Sequence, residues 1–404
     1  MKRFEILMPL LALGLMCSAR SAEAYTVQTD SLTTDSVAVQ LPADSVEAPK
    51  HFYEKGFIGK VYDYFRNSNR PAPDNKFDIS FIGGPHYSSE EGFGIGVAGS
   101  GSYRAGDFHN KRTPRSNVTL KLDVTTGQMY KIGAEGYHIF ENDPYRINYD
   151  VYFYSFKDKW WGIGYDMNND DANECIYKRL QSQATVDFVV KLRRGVYLGP
   201  IAQFSYVNAR DMNKPWLLDG LRDRIFTWGG GLTFYIDTRD IPTGATRGVY
   251  VRFDAISSPK WMGNKDPFRL LEVNAATYCG VWRGGVLAFN VHSRLTWGDT
   301  PWCFLSTFGG SHTMRGYWEG RYRDKMEADA TVELRQRVWR RNGFVVWGGL
   351  GNVFPRFSKL HLRHTLPNFG AGYRWEFKKG VNVRLDVGFG RNGHGINFSL
   401  NEAF

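Results

Sequence analysis

The sequence predicts an all-β fold: a 16-stranded antiparallel transmembrane β-barrel with a lumen-folded loop and a short N-terminal amphipathic helix. Three observations lead there. From Phe77 onward apolar residues recur at every second position almost without interruption, the period of strands with one greasy face. The connections between these runs alternate between tight turns and long loops, the asymmetry of a barrel that spans a bilayer. A secretory signal opens the chain, and no later run of about 18 apolar residues offers a helical span.

The elements follow in order. Residues 1–24 form the signal peptide: Lys2 and Arg3, an apolar run from Ile6 to Cys17, and Ala22-Glu23-Ala24 as a small-residue cleavage site before Tyr25. Met16 stands where a lipidation signal wants a small residue, so cleavage without lipidation is expected. Residues 26–50 are rich in Ser, Thr, Asp, Val, Ala and Pro without periodicity and read as a disordered leader. Phe52, Phe57, Ile58, Val61, Tyr62 and Phe65 then fall near one helical face, which predicts a short amphipathic helix over 51–66. That helix plugs the lumen, lies on the membrane surface or caps the barrel mouth, and Asn69-Arg70-Pro71-Ala72-Pro73-Asp74 ends it.

The barrel is expected over residues 77–404. Its sixteen strands read as 77–84, 92–104, 115–126, 128–140, 144–156, 176–192, 195–208, 225–236, 247–257, 268–281, 284–296, 325–338, 342–352, 366–376, 380–390 and 395–404. Alternation is cleanest near the end, where Val381, Val383, Leu385, Val387 and Phe389 share one face and Asn382, Arg384 and Asp386 the other. Asp143-Pro144, Arg194-Gly195, Arg283-Gly284, Asn342-Gly343 and Lys379-Gly380 are tight turns, whereas 157–175, 209–224 and 297–324 are long. A soluble sandwich would carry polar residues on the outer face of most strands, and here that face is apolar.

Composition narrows the function. The chain carries +10 formal charges, yet its Lys and Arg are scattered over strands and turns, so no nucleic-acid partner is expected. Cys175, Cys279 and Cys303 lie far apart with no ligand spacing, which predicts neither a disulfide framework nor a metal site, and no cofactor is expected. An aromatic content of 15% with 44 glycines suits interfacial girdles and close backbone approaches. No Ser/His/Asp set, HExxH or nucleophile elbow is present, so the chain is not expected to be an enzyme. The glycine-rich run Gly94-Ile95-Gly96-Val97-Ala98-Gly99 sits in a strand and is no phosphate loop.

The last half of the chain carries a specific set of motifs. Gly309-Gly310-Ser311-His312-Thr313-Met314-Arg315-Gly316-Tyr317 lies in the loop between the eleventh and twelfth strands. Asp237-Thr238-Arg239-Asp240 with Thr246-Arg247-Gly248 precedes it, and Glu333-Leu334-Arg335, Gly370-Ala371-Gly372-Tyr373-Arg374 and Arg384-Leu385-Asp386-Val387-Gly388 follow. In this order the set resembles the BamA/TamA outer-membrane assembly proteins, over about residues 225–404. The resemblance implies that the loop folds into the lumen and that Arg315 of the Met314-Arg315-Gly316-Tyr317 element pairs with acidic side chains on the inner wall. Strand parity makes Glu333, Asp386 and Glu376 the candidate partners. Gly316 would permit a close backbone approach and Tyr317 a packing face. One position departs from the family: in Val346-Trp347-Gly348-Gly349-Leu350-Gly351, Gly349 takes the place of its acidic residue.

The resemblance further implies a weakly paired seam between first and last strands, formed by Phe77, Ile79, Phe81, Ile396, Phe398, Leu400 and Phe404, which opens to receive a client strand. The leader is too short for the family's periplasmic POTRA domains, so a reduced member is expected. Its expected setting is the outer membrane of a Gram-negative bacterium, as a monomeric barrel in contact with lipid, client outer-membrane proteins and a separate periplasmic partner. The expected role is to assist insertion or translocation of proteins or lipid. The alternative is a passive pore or surface antigen without insertase activity.

Overall fold

A computed structural model describes residues 77–404 apart from 108–109, 111–112, 379–380 and 392. The signal peptide, the leader and the helix expected over 51–66 lie outside the described residues. The strands are β1 (Phe77–Ser88), β2 (Gly92–Tyr103), β3 (Ser116–Thr125), β4 (Tyr130–Ile139), β5 (Tyr145–Trp160), β6 (Cys175–Arg193), β7 (Val196–Arg210), β8 (Arg224–Asp237) and β9 (Gly248–Ser258). They continue as β10 (Phe268–Trp282), β11 (Gly285–Gly298), the two-residue β12 (Ser306–Thr307) and β13 (Arg323–Asp324), β14 (Met326–Trp339), β15 (Asn342–Phe354), β16 (Leu366–Lys378), β17 (Val381–Gly390) and β18 (Gly393–Leu400). Sixteen of them close into one barrel in which each strand pairs with its chain neighbour, β11 pairs with β14, and β18 returns to β1. The pair β12 and β13 sits apart, inside the connection between β11 and β14.

The period of two decides which way each residue points. Leu120, Leu122, Val124, Ile132, Val151, Phe153, Val186, Phe188, Phe369, Leu385 and Phe389 are exposed on the outside, where only lipid makes such a surface favourable. Residues of the opposite parity face inward and include Asp187, Glu333, Arg374, Arg384 and Asp386, all buried. Exposed Tyr145, Trp282 and Trp339 ring the end that carries the turns at 194–195, 283–284 and 340–341, and Trp216 and Trp261 project at the other.

Strand bounds fall within about four residues of the expected ones: β1 and β5 each run four residues further, to Ser88 and Trp160, and the last strand ends four residues early. The last strand stops at Leu400, because Asn401 takes a left-handed φ of 66° that a strand cannot hold and that Asn tolerates better than most residues. Residues 401–404 then turn into the lumen. Asn401 N–H donates to Asn382 O at 2.6 Å, Glu402 is buried, and the Phe404 ring lies 6.4 Å from that of Tyr278 on the inner wall.

Candidate functional site

The connection from β11 to β14 packs through its own aromatic cluster. Phe308, Tyr317 and Tyr322 are buried together with Met314, Val353 and Leu366. Tyr317 donates from its hydroxyl to Pro367 O at 2.6 Å and accepts from Arg391 N–H at 2.8 Å, fixing the loop to β16 and to the end of β17. Gly316 sits at φ 112°, and its backbone lies against Gly388, where a Cβ would collide with the carbonyl of Arg315. Glycine at both positions is what lets the loop touch the wall backbone to backbone.

Arg315 is thereby carried to the inner faces of β14, β15 and β17, with 1% of its surface exposed. One guanidinium nitrogen donates to Asp386 Oδ2 at 2.8 Å and another to Glu333 Oε2. The group lies 3.7 Å above the ring of Trp347, and the Arg315 carbonyl accepts from Asn368 Nδ2 at 3.1 Å. Trp347, two residues before Gly349, thus supplies an aromatic face beside the position where the family pattern has an acid.

The network extends beyond this pair. Arg335 Nε donates to Glu333 Oε1 at 2.7 Å, and Arg374 donates to Asp386 Oδ1 and to Glu402 Oε2, the latter at 2.8 Å. Arg384 lies 3.6 Å from Asp386 and donates to Ser399 Oγ at 2.6 Å. Glu402 also accepts from Asn382 at 2.6 Å, and Arg335 donates to the Phe404 carbonyl oxygen at 2.9 Å. His312, in the same loop, has Nδ1 3.0 Å from the Ala403 carbonyl oxygen, which assigns the proton to Nδ1. Loop, wall and inturned tail are therefore one hydrogen-bonded unit in which each carboxylate is held by at least one guanidinium.

Of the three expected partners, Glu333 and Asp386 meet Arg315, and Glu376 does not. Glu376 pairs instead with Arg337, and its N–H donates to Arg341 O beside the turn at 340–341. It shares the inward face with Arg374 but stands too near the strand end. Gly309 and Gly310 have φ of 117° and 80°, and Gly310 N–H donates to Tyr317 O at 3.0 Å, closing the loop on itself. Asp240 braces the turn between β8 and β9 by accepting from the N–H groups of Ile241, Thr246 and Arg247.

The seam differs from what its residues suggested. β1 and β18 share two register pairs, Tyr87 with Phe398 and Ser88 with Asn397, against twelve between β1 and β2. Ser89 N–H donates to Ile396 O at 3.1 Å, so Ile396 and Phe398 do lie at the junction. Continued at the same register, Leu400 would face Pro85 and Phe404 would face Phe81. The tail turns inward first, so Phe404 packs in the lumen and is not a seam residue. Phe77 and Ile79 are exposed at the far end of β1, opposite no residue of β18 among the described residues. Pro85, with no N–H to give, stands where pairing stops.

Comparison with known proteins supports the architecture. BamA from Haemophilus ducreyi lacking POTRA domains 1-3 superposes with a TM-score of 0.56 at 11% identity, over 81% of this chain and 70% of that one. CdiB from Escherichia coli gives 0.55 at 10% identity over 82% and 64%, and CdiB from Acinetobacter baumannii 0.51 at 11% over 81% and 60%. This chain thus spans less than two thirds of either CdiB chain. No family model and no curated protein matches the sequence. What is shared at such identities is the barrel.

Proposed function

We propose, from the premise that this chain is a barrel of the fold seen in BamA and CdiB, that it is a non-enzymatic outer-membrane protein assisting insertion or translocation of other polypeptides. The loop bearing Arg315 and the tail 401–404 hold the lumen wall rigid from within, while the stretch of β1 from Phe77 to His86 is left with an edge that β18 does not cover. An uncovered edge offers a row of backbone donors and acceptors, and an extended segment of a client strand satisfies them by adding to the sheet. The carrying observation is the contrast at this one junction: two register pairs at the seam against twelve on the other side of the same strand. Outer-membrane lipid contacts the apolar outer face, and a separate periplasmic partner delivers clients.

The test is folding of a urea-denatured outer-membrane barrel into liposomes with and without this protein. The proposal expects faster client folding in its presence. An unchanged rate, together with steady large conductance of the empty barrel in planar bilayers, would favour a passive pore instead.

A further inference from the structure

A second cluster of charged groups sits on the inner wall away from Arg315, where β10, β11 and β14 run side by side. The register sets Arg294 opposite both Glu272 and Glu327, and His292 opposite Asp329. Directly opposed residues share a face, so all five point inward together. Arg294 is engaged by Glu272 at 2.6 Å. The side chains of Glu327 and Asp329 are fully buried, and both Glu327 oxygens and Asp329 Oδ1 have no hydrogen-bond partner. His292 Nδ1 stands between them, 3.0 Å from Glu327 Oε1, out of line for a hydrogen bond, and 3.3 Å from Asp329 Oδ2.

Two buried carboxylates beside one imidazole cost several kcal/mol if both are ionised and nothing but the ring offsets them. A divalent cation cancels that charge. One atom from each of His292, Glu327 and Asp329 lies within 4.8 Å of the others, a separation that one ion can bridge. The far side of the ring fits as well: His292 Nε2 is 3.4 Å from Glu272 Oε1, so a proton on Nε2 points at a carboxylate that Arg294 anchors. A carboxylate behind a metal-ligating histidine fixes both its tautomer and its orientation.

We propose that His292, Glu327 and Asp329 bind one divalent transition-metal ion of the zinc type, with Glu272 as a positioning residue. An imidazole nitrogen in the donor set selects zinc over calcium or magnesium, which take oxygen ligands. Three protein ligands leave a position open, and His292 and Glu272 line a cavity of about 520 Å³ that supplies water to it. The ion ties β11 to β14, the two strands at the roots of the loop carrying Arg315. Glu327 and Asp329 lie two apart on β14, but His292 comes from β11 and meets them only through the register, so no spacing in the sequence announces the set.

The experiment is zinc stoichiometry by elemental analysis on the folded, detergent-purified full chain, stripped with chelator, reloaded with zinc chloride and dialysed. The expected result is about one zinc per chain, abolished in His292→Ala, weakened at least tenfold in Glu327→Gln and 10–100-fold in Glu272→Gln. Each variant must show the wild-type heat-shifted band of a folded barrel; should His292→Ala fail to fold, Glu327→Gln, nearly isosteric and free of the unpartnered charge, carries the reading. Zinc should also raise the temperature of the heat-induced band shift for wild type and leave Glu327→Gln unmoved. Substoichiometric zinc in wild type, undiminished zinc in the folded variants, or a preference for calcium would each overturn the proposal.

Discussion

Replacing Arg315 by alanine should destabilise the barrel more than the loss of any other loop arginine. The side chain sits between Asp386 Oδ2 at 2.8 Å and Glu333 Oε2, both carboxylates fully buried, and above Trp347. Removing one partner of a buried ion pair costs about 3–5 kcal/mol, because the other is left charged and unsolvated. Here Arg335 still holds Glu333 and Arg374 still holds Asp386, which places Arg315→Ala near the lower figure, about 3 kcal/mol. That is roughly a hundredfold in the folded population. The control is Arg321→Ala in the same loop. Arg321 pairs with Asp171, whose side chain is 81% exposed and returns to water when released, so this substitution strands no buried charge and costs less than Arg315→Ala. Urea titration in detergent micelles, followed by the heat-shifted band on gels, measures both. Equal midpoints for the two variants would refute the reasoning.

Further outcomes follow from the same geometry. Gly388→Ala should prevent the loop from seating, since its Cβ meets the Arg315 carbonyl, whereas Gly280→Ala, with open space around it, should fold like wild type; equal band shifts would contradict this. Ser88→Cys with Asn397→Cys, in a background with Cys175, Cys279 and Cys303 replaced by Ala, should form a seam crosslink and stop client folding while leaving the barrel intact. Retained activity in the fully crosslinked protein would show that the seam need not open. In the turn between β1 and β2, burial and then the neighbouring Glu319 charge push the Glu90 carboxyl well above its ordinary 4.5. A carboxyl raised on folding holds its proton more tightly in the native state, so this contact weakens as pH rises from 4.5 through the raised value. Glu319→Gln should therefore gain stability over wild type progressively across that window, and a gap independent of pH would count against it.

Strand parity made most of this fold legible, because the outer face of a barrel must be apolar at every second residue. Parity names the face and says nothing of depth. It put Glu333, Asp386 and Glu376 on the inner wall alike, and only the register separates Glu376, beside the turn at 340–341, from the pair around Arg315. It also carried the last strand through to Phe404, since Phe404 falls on the apolar parity. What ends the strand is the backbone of Asn401, and what draws the tail inward is Glu402 meeting Arg374 and Asn382. The grouping of His292, Glu327 and Asp329 was hidden for a related reason: it joins residues of β11 and β14 across the longest connection in the barrel.

Crosslinking from Ile79 in the intact cell envelope tests the central claim most directly. A photoreactive residue placed there, on the stretch of β1 that β18 leaves uncovered, should capture client barrel polypeptides, while the same probe at lipid-facing Ile132 on β4 should not. Adducts with lipid alone at both positions, or the same protein adducts at both, would contradict a client-receiving edge at the seam.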